Sequence, residues 1–102
     1  MNRVDVLGVG FDPIDLDGAV ASVVALAREP GAHLVVTANV EMVMQARLAP
    51  DLQEILDRAA LVVADGVGVI WGARQLGRPL PARVPGIDLA GRLCDEAPRR
   101  GW

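Results

Sequence analysis

Leu61-Val62-Val63-Ala64 contains no polar residue and stops on Asp65. A strand with one wet face alternates apolar and polar side chains, so an unbroken apolar run of strand length predicts burial on both faces. Leu34-Val35-Val36-Thr37 repeats the pattern, and Val4 to Val9 (VDVLGV) gives a first short strand closing on Gly8-Val9-Gly10. Between these runs the apolar spacing becomes helical. Val20, Val23, Val24 and Ala27 recur at i, i+3, i+4 and i+7. They follow a turn, Asp12 to Asp17 (DPIDLD), in which Asp17 reads as the helix N-cap, and they stop at Glu29-Pro30-Gly31. A second helical pattern (Val40, Val43, Met44) is broken by Pro50, and Leu52, Ile55, Leu56 and Ala59 begin a third. After the last strand a helix runs through Ile70, Trp71 and Leu76. Gly77 to Pro85 (GRPLPARVP) is a loop, and Ile87, Ala90, Leu93 and Cys94 mark a final amphipathic helix.

Apolar strands alternating with helices predict an α/β fold: a parallel sheet with helices on both faces. At 102 residues the chain is one domain at most. In such folds ligands collect beyond the carboxyl ends of the strands. The sequence places Gly10, Thr37 to Asn39 and Asp65-Gly66 there.

Composition removes several function classes. The net charge is -3, and no basic run with interleaved aromatics occurs, which argues against nucleic acid as a partner. Charges interrupt every apolar stretch well before membrane-spanning length, although 52% of residues are hydrophobic. The single cysteine leaves no internal disulfide and fits a reducing compartment. All ten basic residues are arginine, which reads as a base-composition habit of the genome.

Individual motifs are ambiguous when read alone. Gly8-Val9-Gly10-Phe11-Asp12-Pro13 begins like a dinucleotide fingerprint, but proline stands where the third glycine belongs. Asp15-Leu16-Asp17 has the form of a metal-holding Asp-x-Asp, yet before a helix two carboxylates serve as cap and dipole complement. His33 reads as a surface residue and Cys94 as a packed small apolar side chain, and neither has partners for a metal site. Thr37 and Asn39 read as a turn and a cap for the helix at Val40. Asp65 reads equally as an N-cap and as a catalytic carboxylate. Gly66 and Gly68 tip that balance, because glycine costs about 1 kcal/mol against alanine inside a helix. Something must therefore approach the backbone there, and free N–H groups at a helix N-terminus favour an anion. Arg83, in the proline-stiffened PARVPGID, suits bidentate phosphate recognition, whereas Asp88 reads as a cap for the last helix.

Taken together, VVTANVEMVMQAR, LVVADGVGVIWGAR and ARVPGIDL resemble, in order and spacing, the WecG/TagA/CpsF family of bacterial glycosyltransferases. The shared pattern is a Thr-x-Asn strand end, an Asp-Gly-x-Gly strand end and an Arg-x-x-Gly-x-Asp loop, and it covers nearly the whole chain. The resemblance implies transfer of N-acetylmannosamine, or a related hexose, from a UDP-sugar to undecaprenyl-diphosphate-linked N-acetylglucosamine. The new β-1,4 bond forms with inversion, in surface polysaccharide or teichoic acid synthesis. It implies Asp65 as general base with Thr37 beside it, and Asn39, Gly66, Gly68 and Arg83 as substrate-binding residues. No cofactor and no metal are implied. Family members extend further, so residues 1–102 are expected to be the N-terminal part of a single transferase domain, inactive alone. The complete enzyme is expected to be cytoplasmic and peripheral at the inner membrane face, and able to form homo-oligomers.

Overall fold

The computed structural model describes residues 2–102. The chain opens with a hairpin, β1 (Val4–Val6) and β2 (Val9–Phe11), paired antiparallel with Val6 opposite Val9. The single strand expected over Val4 to Val9 is thus two strands. The reversal is made by Leu7 (φ 52) and Gly8 (φ 96), both left-handed, the geometry a two-residue hairpin loop needs. Glycine accepts that conformation freely and leucine does not. Asp5 assists by accepting a hydrogen bond from the Gly8 N–H at 2.9 Å. With leucine in the place usually held by Asn or Asp, the turn was hard to foresee. Gly10 consequently lies inside β2, not at the end of a parallel strand. Its bare Cα lets the Arg3 side chain cross, since an added Cβ would lie 3.1 Å from Arg3 Cδ.

Helix α1 (Leu16–Ala27) follows, capped by Asp15, whose carboxylate accepts from the Gly18 N–H at 2.8 Å. The cap falls two residues before the expected Asp17, which instead pairs with Arg92 at 2.9 Å. Next come β3 (Val35–Ala38), α2 (Val40–Leu48) and α3 (Pro50–Arg58), the last beginning on a proline at its first turn, where no N–H is needed. Strand β4 (Leu61–Ala64), α4 (Val67–Gln75) and α5 (Gly86–Arg100) complete the chain.

Strands β3 and β4 pair in parallel, Thr37 opposite Val63 and Ala38 opposite Ala64. The predicted α/β character therefore holds, but in place of one parallel sheet with helices on both faces there are two separate two-stranded sheets, the parallel β3–β4 pair and the antiparallel β1–β2 hairpin. All four residues of β4 are buried, as the unbroken apolar run required. Val62 and Ala64 pack with Phe11, Val43, Leu56, Val69 and Ala73, from β2, α2, α3 and α4. Leu61 and Val63 point the other way and join Ala19, Val20, Val24, Val84 and Leu89, from α1, the loop before α5, and α5 itself.

The edge of β4 away from β3 is occupied. Asp12 donates its N–H to the Val62 carbonyl and accepts the Val62 N–H on Oδ2, both at 2.8 Å. Further along, the Val84 N–H reaches the Ala64 carbonyl at 2.6 Å. Asp12 is buried and carries an ion pair to Arg3 at 3.3 Å. Arg3 in turn donates to the carbonyls of Leu56 (3.1 Å) and Ala59, at the C-terminal end of α3. This clamp joins the hairpin base, α3 and β4, and a stretch read from sequence only as turn chemistry supplies it.

Two expectations for α5 are corrected. Its inward face carries Leu89, with Leu93 packed beside it, while Ile87 is 83% exposed and Ala90 is exposed. Cys94 is also exposed, not packed. The inward face is set by Leu89 and Leu93, which pack with Val84 and the α1 residues Ala19, Val20 and Val24. Among the described residues, no helix is long and apolar enough to cross a membrane.

Candidate active site

The site is built where β3 and β4 end side by side. Strand alternation places Thr37 on the Val35 side of β3, and Asp65, one residue past β4, on the Val63 side. The Asp65 N–H continues the ladder to the Ala38 carbonyl at 2.9 Å, which fixes its backbone. Asp65 does not cap the helix that follows it. Gly66 holds that position, with φ 111 and no side-chain cap bond. Instead Oδ2 of Asp65 accepts the N–H of Gly86, the first residue of α5, at 3.2 Å. Its Oδ1 takes no hydrogen bond among the described residues, and the residue is partly open to solvent.

Thr37 reaches the same place. A Cβ built on Gly86 would lie 2.8 Å from Thr37 Oγ1 and 3.3 Å from Asp65 Oδ2. Hydroxyl and carboxylate therefore converge on one bare α-carbon. The loop before α5 is fastened here by Val84, so Arg83, its neighbour, is delivered to the end of β4. Arg83 is exposed and forms no ion pair among the described residues, which leaves its guanidinium available.

The other predicted site residues have structural explanations as well. Asn39 caps α2, its Oδ1 accepting the Met42 N–H at 2.9 Å, while its amide nitrogen is unengaged among the described residues. The backbone approach inferred at Gly68 is made by protein: an added Cβ would lie 2.6 Å from Val40 Cγ2. Gly66 differs, because nothing lies within 4 Å of the position its Cβ would occupy. The backbone at Gly66, beside Asp65, is thus open on the side a side chain would fill. Asp15 and Asp17 are both committed, to a helix cap and to Arg92. Gly86 was not singled out as a site residue, although its place in the PGID turn was a signal.

The family model for the "Glycosyl transferase WecG/TagA/CpsF family" matches residues 4–102. The chain belongs to this family. It is 35% identical over 89 residues to the N-acetylglucosaminyldiphosphoundecaprenol N-acetyl-β-D-mannosaminyltransferases of Staphylococcus aureus strains NCTC 8325 and COL. That similarity covers 85% of this chain and 35% of each relative, so the chain spans about a third of their length. The family match takes in all three strand-end and loop segments, Thr37 to Asn39, Asp65 to Gly68 and Arg83 to Asp88. The first two lie at adjacent strand ends, and Gly86 ties the third to Asp65.

Proposed function

We propose that this chain carries part of the catalytic centre of an inverting glycosyltransferase, with Asp65 as general base. The observation that supports it is the division of the Asp65 carboxylate at the end of the parallel pair: Oδ2 is held by Gly86 where Thr37 also approaches, and Oδ1 takes no hydrogen bond among the described residues. By likeness to the named relatives, the donor is UDP-N-acetylmannosamine or a related UDP-hexose, and the acceptor is undecaprenyl-diphosphate-linked N-acetylglucosamine.

In the proposed step the acceptor's 4-hydroxyl oxygen attacks the anomeric carbon from the face opposite the diphosphate. The bond from that carbon to the diphosphate oxygen breaks, and UDP leaves with the electron pair. The hydroxyl proton passes to Oδ1 of Asp65. A positioned base of this kind contributes about 10²–10⁴ in rate. The developing oxocarbenium charge is stabilised by the same carboxylate. Arg83 and the open N-terminus of α4 at Gly66 are placed to receive the departing diphosphate. Thr37 orients the acceptor hydroxyl, and the unengaged Asn39 amide donates to a sugar oxygen. The lipid acceptor places the working enzyme at the inner membrane face.

The test is incubation of the full chain, meaning a protein of the relatives' length and not residues 1–102 alone, with UDP-N-acetylmannosamine and a short-chain, water-soluble acceptor analogue. The expected result is one UDP released per disaccharide formed, with a β configuration at the new bond. Donor binding without transfer would identify a non-catalytic nucleotide-sugar-binding chain, and retention of configuration would remove Asp65 from the role of base.

A further inference from the structure

Helix α5 begins without a local side-chain cap: Pro85 precedes it, and proline has nothing to offer the first N–H groups. A carboxylate from another element supplies the missing acceptor, since the Gly86 N–H donates to Asp65 Oδ2. The same residue is the point of closest approach to Thr37. A methyl group at position 86 would overlap Thr37 Oγ1 at 2.8 Å and press on Asp65 Oδ2 at 3.3 Å. The backbone of Gly86 is not left-handed, so conformational freedom does not explain the glycine. Alanine would also favour the helix by about 1 kcal/mol. What glycine provides at this place is room for the two side chains and a donor for one of them.

We propose that Gly86 is a positioning residue for the transfer reaction. Its N–H holds one oxygen of Asp65, so that the carboxylate presents the other to the acceptor hydroxyl. Its missing side chain leaves room for both Thr37 Oγ1 and Asp65 Oδ2 at one point. The inference rests on the reading of Asp65 as base and adds to it the element that aims the base. Val84 supports the arrangement by fixing the loop to Ala64, so that α5 starts at one place relative to β4. A carboxylate turned out of line loses rate steeply, because displacement of a reacting group by about 1 Å costs about a hundredfold.

Two measurements on the full chain test this. The first needs no activity: the backbone amide of Gly86 is followed by ¹H–¹⁵N NMR in the native protein and in Asp65→Ala. Loss of the charged acceptor should move the Gly86 amide proton upfield, with remote amides unchanged. An unmoved Gly86 amide would overturn the hydrogen bond and the proposal with it. The second is a kinetic cycle of Gly86→Ala, Thr37→Ala and the double variant. Gly86→Ala should lower kcat by about 10- to 100-fold with little change in donor KM, and the loss should shrink on the Thr37→Ala background. A purely structural role would lower the melting temperature and leave kcat of the folded fraction intact, which would overturn the proposal. The parent reading fails separately. If Asp65→Asn turns over normally, the base is wrong; if it is inactive while Gly86→Ala keeps native kcat, only the role of Gly86 is wrong.

Discussion

The two oxygens of Asp65 have different surroundings, one bonded to Gly86 and one open, and that asymmetry is what a base held by its own backbone frame requires. Sequence alone could not separate a cap from a catalytic carboxylate, since both follow a strand and precede a helix. The structure gives a third answer, a cap for the distant helix α5, because α4 is capped by Gly66 in a conformation that side chains avoid. Arg83 is the proposed counterpart for the leaving group. Its guanidinium is free and set beside the strand end by its neighbour Val84. Arg83→Ala should raise the donor KM by about 10- to 100-fold, the range expected for losing a charge-assisted hydrogen bond. Arg83→Lys should recover only part of that loss, because an ammonium cannot bind a diphosphate bidentately. Initial-rate kinetics at varied donor concentration would read both. An unchanged donor KM would remove Arg83 from the donor site.

Elements in this fold are joined by a few polar bonds that differ greatly in value. The Arg3–Asp12 pair is mostly buried and shares its atoms with Val62 and the end of α3, whereas Arg92–Asp17 is exposed on both sides. Asp12→Ala strands a buried guanidinium and the Val62 N–H, and should cost about 3–5 kcal/mol. Arg92→Ala should cost no more than about 1 kcal/mol. Denaturant unfolding of the two variants would check the order, and equal losses would refute the clamp. Helices α2 and α4 meet where Val40 sits over Gly68. Gly68→Ala should destabilise by about 1–3 kcal/mol through overpacking, and Val40→Ala in the same chain should restore most of it. Without that rescue, in the same unfolding experiment, the glycine would not be explained by helix packing.

Across the whole molecule, the elements that depend on local pattern were legible and those that depend on distant partners were not. The unbroken apolar run Leu61 to Ala64 required cover on both faces, and it has it. The Leu7-Gly8 reversal was hidden because its φ angles are made possible by Asp5 and the hairpin around it, not by a turn-forming pair. Buried Asp12 was hidden because its partners lie on β4 and before β1. At the site, the places of Thr37 and Asp65 at strand ends and of Arg83 in a loop were legible, while Gly86 needs the α5 start to be placed in space. The Asp-x-Asp pair belongs to the structural bonds, with Asp15 capping α1 and Asp17 tied to Arg92. Transfer should therefore survive extensive chelation, and loss of rate restored by magnesium or manganese would contradict the assignment of diphosphate stabilisation to Arg83 and α4. The central claim, that the Asp65 carboxylate takes the acceptor proton, is tested most directly by the single-turnover rate of Asp65→Asn in the full chain. Asparagine keeps the size of the side chain and an acceptor for the Gly86 N–H but has no basicity. The rate should fall at least about a hundredfold with the fold intact, and a near-native rate would contradict the account.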